Sequence, residues 1–426
     1  MNNDYAFEMA TSNIRYGQGA TRELGMDLAD MGINRVMVLT DPNMSKLGPV
    51  KTVLESLSKE HIESALFDQV RMEPTDASLK AAIEFASSGR FDGFVAVGGG
   101  STMDTAKVAN LYSTYPPGDF LDYVNPPIGK GIPVPGALKP LFAVPTTAGT
   151  GSETTGVAIF DYEKMHAKTG IAHRRLKPTL GIVDPENTRT MPPMVAACTG
   201  LDVLTHAIES LTAMPYTQRP RPERPLLRPA YQGSNPISDI WSMQALRLLS
   251  ENMIKAVEDP ENDVARGMMM LAASFAGIGF GNAGVTIPHG MSYPVSGMIR
   301  EYKPRDYPQD HAMVPHGMAV VLNAPAAFRF TAPAYPEKHL HAAEVLGADI
   351  SEATLDDAGK VLSDQIIKIM KRLNLPNGLN GIGYTRNDIP KLVEGTLPQH
   401  RVIKLSPRPV GAEELTQIFE DAMRYW

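Results

Sequence analysis

Through the first 185 residues, short β-branched runs alternate with longer amphipathic stretches, and few folds accommodate that alternation. Residues 35–40, 65–70 and 93–97 read as strands, with 50–60 and 78–88 as the helices between them. Further strands are expected at 140–144, 156–160 and 180–183. Strands joined through helices need right-handed crossovers and give a parallel sheet covered on both faces. Beyond Asp184-Pro185 the texture changes: Met-, Ala- and Leu-rich stretches with helical spacing at 194–211, 239–257, 264–280, 312–330, 355–373 and 412–424 predict an all-α second half. The expected division is an α/β domain over 1–185 and a helical domain over 186–426, in keeping with the usual ~100–200 residues per domain. Two segments, 215–236 and 293–315, break the helical periodicity, and irregular stretches of that length usually serve a site.

Composition excludes several classes. An apolar share of 43% and a charged share of 20% are those of a folded globular chain. A net charge of −7 with no polybasic block argues against nucleic-acid binding. The most apolar stretch, 268–284, falls short of the ~20 residues that span a bilayer and holds four glycines, so it reads as a buried helix and turn, and no membrane partner is expected. The first residues lack signal- and transit-peptide patterns, which predicts a cytoplasmic protein. Cys198 is the only cysteine, so any bound metal must be held by His and carboxylates. Met-rich helices suit a buried core or a subunit interface, and a homo-oligomer is expected.

Three constellations carry chemistry. In the first, the strand ending at Val97 runs into Gly98-Gly99-Gly100-Ser101, with Asp104 and Lys107 following on a helix. Bare backbone amides at a helix N-terminus suit a pyrophosphate, although a glycine-rich turn can be purely structural. In the second, Thr146-Thr147-Ala-Gly-Thr150-Gly-Ser-Glu153 follows another strand and offers hydroxyls where backbone can approach a ligand, or simply a capped loop. Two such loops after parallel strands raise the expectation of a dinucleotide. Asp41, directly after the first strand, suits a ribose 2′-OH and NAD over NADP; alternatively it only opens the turn Asp-Pro-Asn.

The third constellation sets Asp202 and His206 four residues apart on one helix face, where they can share a cation or simply hydrogen-bond. His289 and His316 each stand in a Pro-His-Gly-Met sequence, a repetition unexpected of random core histidines. One carboxylate and three imidazoles suit Fe(II), Zn(II) or a similar divalent metal. The other histidines look structural: His339 and His341 on a solvated helix, and His61, His166, His173, His311 and His400 without metal-like spacing.

Taken together, Gly98-Gly-Gly-Ser-x-x-Asp104-x-x-Lys107, Thr146-Thr-x-Gly-Thr-Gly-Ser-Glu153, Asp202-x-x-x-His206, Asn235-Pro-x-Ser-Asp239, His289-Gly-Met and Pro315-His316-Gly resemble the iron-containing (group III) alcohol dehydrogenase family over nearly the full chain. The resemblance implies a Rossmann-like α/β domain plus an all-α domain, the fold shared with dehydroquinate synthase. It implies Asp202, His206, His289 and His316 as metal ligands, Gly99, Gly100, Ser101 and Asp104 at the cofactor phosphates, and Asp41, Thr146, Thr147, Thr150 and Lys168 as further NAD contacts. Residues 229–241, 275–285, 289–294 and 395–399 resemble its hydroxyacid-oxoacid transhydrogenase branch, which oxidises 4-hydroxybutyrate to succinate semialdehyde while reducing 2-oxoglutarate to 2-hydroxyglutarate. The expected partners are thus a small hydroxy acid and an oxo acid, or an alcohol and an aldehyde. An ordinary NAD-dependent dehydrogenase that releases NADH is the nearest alternative, ahead of a lyase on the same scaffold or a non-catalytic nucleotide-binding protein.

Two features depart from the wider family. Many members carry a second His four residues after the His-Gly-Met histidine, where this chain has Tyr293; a phenol of pKa ~10 is a poorer proton acceptor at neutral pH, yet Tyr293 is retained as a catalytic candidate. The gap between His289 and His316 is also long. It carries Arg300, Lys303 and Arg305, while the Pro-rich segment before Asp239 carries Arg219, Arg221, Arg224 and Arg228. One of these clusters is expected to pair with substrate carboxylates.

Overall fold

β4 (Gly93–Gly98) is buried along its whole length, as a central strand of a sheet covered on both faces should be. The structure, a computed structural model, describes residues 3–165, 167–307 and 311–426; His166 lies outside these. The chain forms two compact units, Ala10–Met191 and Met1–Met9 with Pro192–Trp426.

The first unit runs β1 (Asn13–Tyr16), α1 (Leu24–Asp30), β2 (Arg35–Leu39), α2 (Gly48–Lys59), β3 (Glu63–Phe67), α3 (Asp76–Gly89), β4, α4 (Gly100–Thr114), β5 (Leu141–Pro145), β6 (Val157–Tyr162), β7 (Ala167–Ala172) and β8 (Leu180–Val183). Six strands form a parallel sheet in the order β1-β8-β5-β4-β2-β3. Alternation along the strands divides the core in two. Val36, Val38, Val95, Val97, Phe142 and Val144 pack on one face with Leu24, Val53 and Leu57 of α1 and α2. Met37, Leu39, Phe94, Ala96, Leu141 and Ala143 pack on the other with Ala82, Met103 and Ala106 of α3 and α4.

Three strand expectations change. The segment expected at 156–160 is not in the parallel sheet: β6 pairs antiparallel with β7 as a separate ribbon. β3 begins two residues earlier than expected, because this edge strand is largely exposed and gives little apolar signal. β1, four half-exposed residues on the opposite edge, gave none.

The second unit is helical: α5 (Pro193–Thr212), α6 (Pro236–Glu258), α7 (Asp263–Ala283), α8 (Ile287–Gly297), α9 (His316–Val321), α10 (Ala324–Thr331), α11 (Pro336–Val345), α12 (Ala358–Arg372), α13 (Ile389–Thr396), α14 (His400–Ile403) and α15 (Ala412–Ala422). The continuous helix expected over 312–330 is two helices, with Pro325 in the first turn of α10. α7 is longer than expected and its glycines do not break it; by length and composition it could cross a membrane, but 78% of its apolar window is buried inside the protein. His339, expected on a solvated helix, is fully buried on α11, with Thr331 Oγ1 3.0 Å from its Nε2 and the Tyr335 carbonyl 2.8 Å from its Nδ1.

By contact the division falls at Met191/Pro192 rather than after residue 185, and the first residues belong with the helices. Asp4 accepts both Arg228 Nε and Nη2 at 2.9 Å, and Gln232 holds Glu8 through its backbone N–H and carbonyl at 2.8 and 2.7 Å.

Candidate active site

In the helical unit the site is built on α5, which opens on Pro193 and is buried on nearly every side. Asp202, His206 and Glu209 lie on it at i, i+4 and i+7, so one inward stripe carries all three. Two further histidines come from the Pro-His-Gly-Met sequences, and the structure gives that pattern a physical reading. Each proline stands at the start of a helix, each histidine in its first turn, and each glycine where a neighbouring element crowds the backbone. A Cβ at Gly317 would stand 2.0 Å from the Cys198 carbonyl oxygen and 2.9 Å from Asp202 Cβ; one at Gly290 would stand 2.8 Å from Ile403 Cγ2. Glycine therefore lets α9 lie directly on α5, bringing His316 to Asp202.

The outcome is a convergence. Nε2 of His206, His289 and His316 stands 3.7, 3.7 and 3.8 Å from Asp202 Oδ1. Asp202, His206 and His289 are each less than 5% exposed, and Asp202 Oδ1 and His289 Nε2 are buried without a hydrogen bond. Ligand atoms at ~2.1 Å from a tetrahedral cation stand about 3.4 Å apart, so the residues fit a divalent metal with slight contraction. The His206 ring stacks on Phe280 at 3.9 Å and on His289 at 4.6 Å, which fixes its plane. Burial alone would raise the Asp202 pKa, but the three imidazoles hold it below the usual carboxylate range.

Glu209, to which the sequence reading gave no role, completes the centre. Fully buried, it accepts the Thr286 N–H at 2.8 Å and the His289 N–H at 3.3 Å, capping α8, and it meets His289 Nδ1. With Nδ1 donating to Glu209, Nε2 is left to face Asp202. Burial would lower the His289 pKa, but Glu209 and Asp202 together push it up to about 10, so without a cation the ring holds a proton there. The signal for Glu209 was a carboxylate three residues after His206, on the same stripe of an otherwise mostly apolar helix.

In the α/β unit, β4 and β5 pair with Gly98 opposite Pro145, so the two glycine- and threonine-rich loops leave adjacent strands at the same end. Cβ atoms at Gly99 and Gly100 would stand 3.2 Å from Thr147 Oγ1 and 2.6 Å from Thr150 Cγ2, so bare backbone is required where the loops interlock. No side chain of the described residues caps α4. Thr146 N–H donates to the Gly98 carbonyl at 3.0 Å. Asp41 follows β2, the neighbour of β4 across which the strand order reverses, and its Oδ1 accepts Asn43 and Met44 N–H at 2.9 and 3.0 Å, the turn-opening role. Lys168 on β7 pairs with Glu73 and lies 3.6 Å from Asp161; the Glu73 N–H donates to Ser101 Oγ, linking Lys168 to the glycine turn. Asp104 is engaged otherwise than expected. Its carboxylate accepts Ser152 Oγ and Ile159 N–H at 2.8 and 2.9 Å beside buried Lys107, an internal staple between α4, the threonine loop and β6.

The arginine clusters also have other partners. Arg228 pairs with Asp4, Arg219 donates to the Tyr231 carbonyl, Arg221 stacks on Tyr5 at 4.5 Å, Arg305 lies 3.7 Å from Asp306, and exposed Arg300 pairs with Asp388. Tyr293 is buried one turn after His289 and its hydroxyl accepts from Arg401 Nη2 at 2.9 Å.

Residues 11–185 match the family model described as iron-containing alcohol dehydrogenase, and residues 230–423 that of the Fe-containing alcohol dehydrogenase family, C-terminal. The chain is 58% identical to a mitochondrial hydroxyacid-oxoacid transhydrogenase of Rattus norvegicus, over 99% of this chain and 91% of the relative. It is 57% identical to that of Homo sapiens over the same shares. Among solved structures, a 1,3-propanediol oxidoreductase superposes with a TM-score of 0.85 at 28% identity over 98% of this chain and 100% of that one. The sulfoacetaldehyde reductase of Bifidobacterium kashiwanohense, solved with NAD+, superposes at 0.79 and 26% identity over 99% of each. These relatives correct one expectation: the transhydrogenases are mitochondrial proteins, against the cytoplasmic reading.

Proposed function

This chain belongs to the iron-containing alcohol dehydrogenase family and is an oxidoreductase, and from that premise we propose that it works as a hydroxyacid-oxoacid transhydrogenase. In this reading it oxidises 4-hydroxybutyrate to succinate semialdehyde and reduces 2-oxoglutarate to 2-hydroxyglutarate through one nicotinamide that stays bound. The observation that carries the reading is the convergence of three imidazole Nε2 atoms on Asp202 Oδ1.

Family membership implies a divalent metal and NAD(H). When bound, the cation supplies Lewis acidity toward a hydroxyl or carbonyl oxygen and the nicotinamide accepts and returns a hydride. The chain's own residues do the rest. Asp202, His206, His289 and His316 hold the cation, and Glu209 keeps the His289 ring in the tautomer and plane that serve it. The uncapped start of α4, with Gly99, Gly100 and Ser101, receives the pyrophosphate, flanked by Thr146, Thr147 and Thr150. Asp41 takes the ribose hydroxyls and favours NAD over NADP, and Lys168 adds a further contact. Fe(II) is the proposed cation, with Zn(II) acceptable to the same donors, and elemental analysis of the purified protein distinguishes them. Self-association belongs to the proposal as well, with Ile237 and Ile240 exposed on α6, and light scattering checks it.

The test is to incubate the metal-loaded protein with 4-hydroxybutyrate and 2-oxoglutarate, with and without added NAD, and follow both products by mass spectrometry. Equimolar products without added NAD support the reading. Turnover that needs added NAD, releases NADH and ignores the oxo acid refutes it in favour of a conventional dehydrogenase, the activity class of the solved structures the fold resembles.

A further inference from the structure

Most arginines with described partners in this protein sit against a carboxylate; Arg401 does not. It stands on α14, which packs on α8 at Gly290, the residue after His289. Its Nη2 donates to Tyr293 Oη at 2.9 Å and its guanidinium lies over the Tyr231 ring at 4.9 Å. Among the described residues no Asp or Glu stands within ion-pair distance of it, and its Nη1 is buried without a hydrogen bond. Partly burying a guanidinium without a counter-charge is costly, and the cost is offset when an anion completes the site.

Its position relative to the metal ligands says which anion. Two routes lead from Arg401 to the histidines. Along α8, Tyr293 lies one turn from His289, an axial rise of ~6 Å. Through the aromatic wall, the Tyr231 ring meets Phe280 at 6.5 Å, and Phe280 stacks on His206. In 4-hydroxybutyrate two methylenes separate the hydroxyl-bearing carbon from the carboxylate carbon. The same spacing recurs in 2-hydroxyglutarate between its hydroxyl carbon and its distal carboxylate. Built from ~1.5 Å bonds, that chain spans about 5 Å from oxygen to carboxylate carbon when extended.

We propose that Arg401, held by Tyr293 and Tyr231, binds the carboxylate that lies two methylenes beyond the reacting carbon in both the hydroxy acid and the oxo acid, so that a single guanidinium serves both half-reactions. The proposal rests on the transhydrogenase reading. It assigns the acid specificity to Arg401, in place of the Arg300 and Arg219–Arg228 clusters, whose members Arg219, Arg221, Arg228, Arg300 and Arg305 are engaged elsewhere. Tyr293 is then a positioning residue, aiming the guanidinium by accepting from Nη2 and leaving Nη1 for the ligand. A planar guanidinium also suits a carboxylate better than an ammonium does.

The test compares wild type with Arg401→Gln and Arg401→Lys on 4-hydroxybutyrate and on its uncharged isostere 4-hydroxybutyramide, and titrates glutarate, an unreactive dicarboxylate, calorimetrically into metal-free and metal-loaded protein. Arg401→Gln is expected to lower kcat/KM for the acid about 100-fold, chiefly through KM, and for the amide less than about 3-fold. Glutarate affinity should fall at least ~10-fold, metal or no metal. Equal losses on acid and amide, or unchanged glutarate binding, overturn the assignment. If Arg401→Gln does not fold, Arg401→Lys decides: an acid-selective loss of about 10-fold supports the role and a non-selective loss overturns it. A wild type that treats acid and amide alike defeats the functional reading itself. A wild type that prefers the acid, with an Arg401→Gln that prefers it equally, defeats this assignment alone.

Discussion

Gly317→Ala tests the idea that the glycine after His316 is there so that α9 can lie on α5. The added Cβ would stand 2.0 Å from the Cys198 carbonyl oxygen, about 1.4 Å inside ordinary contact, and it meets backbone of a buried helix that has no room to yield. α9 must therefore lift by on the order of 1 Å, carrying His316 with it. Metal–ligand distances tolerate only ~0.2 Å, so this fourth donor is lost, with an expected fall in metal affinity of about 10- to 100-fold and a comparable fall in kcat. Overpacking adds roughly 1–3 kcal/mol of destabilisation. Gly290→Ala is the comparison: its Cβ meets side-chain methyls of Ile403, Val402 and Thr396, at 2.8, 3.4 and 3.8 Å, rather than backbone of the helix that carries Asp202, so α14 shifts instead of a metal donor and metal affinity should stay within about 3-fold of wild type. Affinity is read by competition with a chromophoric chelator, and stability by urea denaturation. A Gly317→Ala protein that binds metal and turns over like wild type would refute both the approach argument and His316 as a ligand.

Further outcomes are expected. Glu209→Gln leaves His289 without its charged partner and should weaken metal binding about 10- to 100-fold by the same chelator assay, with the melting temperature of the metal-loaded protein falling toward that of the metal-free one. Gly100→Val sets a branched side chain against Thr150 and should raise the NADH dissociation constant at least ~10-fold, read by nicotinamide fluorescence, with metal content unchanged. His339 is buried and neutral, its pKa lowered by burial to about 4. Between that value and the unfolded ~6.5 the unfolded chain binds the extra proton, so stability is full above pH 6.5 and is lost as the pH falls toward 4, by roughly 2 kcal/mol at pH 5. His339→Asn should flatten the difference in urea stability between pH 7 and pH 5 by about that amount; an unchanged difference means the ring is not held neutral.

The parallel sheet was legible because its central strands are buried on both faces and leave unbroken apolar runs, whereas edge strands β1 and β3 leave little trace. The strand expected at 156–160 was placed in the wrong sheet because a strand's composition does not say which sheet it joins, and its partner β7 was not expected at all. The four residues that converge on one point, Asp202, His206, His289 and His316, were legible as residue types at helical spacing and as a repeated tetrapeptide. What stayed hidden was set by tertiary contact. Glu209 acts across to another helix, Arg401 stands more than a hundred residues from Tyr293, and Asp104 is committed to an internal staple that no local pattern announces. Arginine-rich loops attracted the carboxylate-binding role on charge alone, yet those with described contacts are engaged elsewhere, while the arginine with an unmet valence lies in an unremarkable stretch.

The attachment of the first residues to the helical unit bears on how the protein is made. Asp4 and Glu8 emerge from the ribosome before the whole α/β unit, and their partners Arg228 and Gln232 follow more than two hundred residues later. At ~5–20 residues per second that interval is about 10–45 s, during which the leading segment must stay unengaged while a complete domain folds behind it. The helical unit is thus discontinuous in the chain and closes only late in translation. Expression of 192–426 alone would strand the side chain of Arg228, 9% exposed, without its acid. The contacts of Asp4 and Glu8 with residues 228–232 are thus the seam where the two separate stretches of one unit meet.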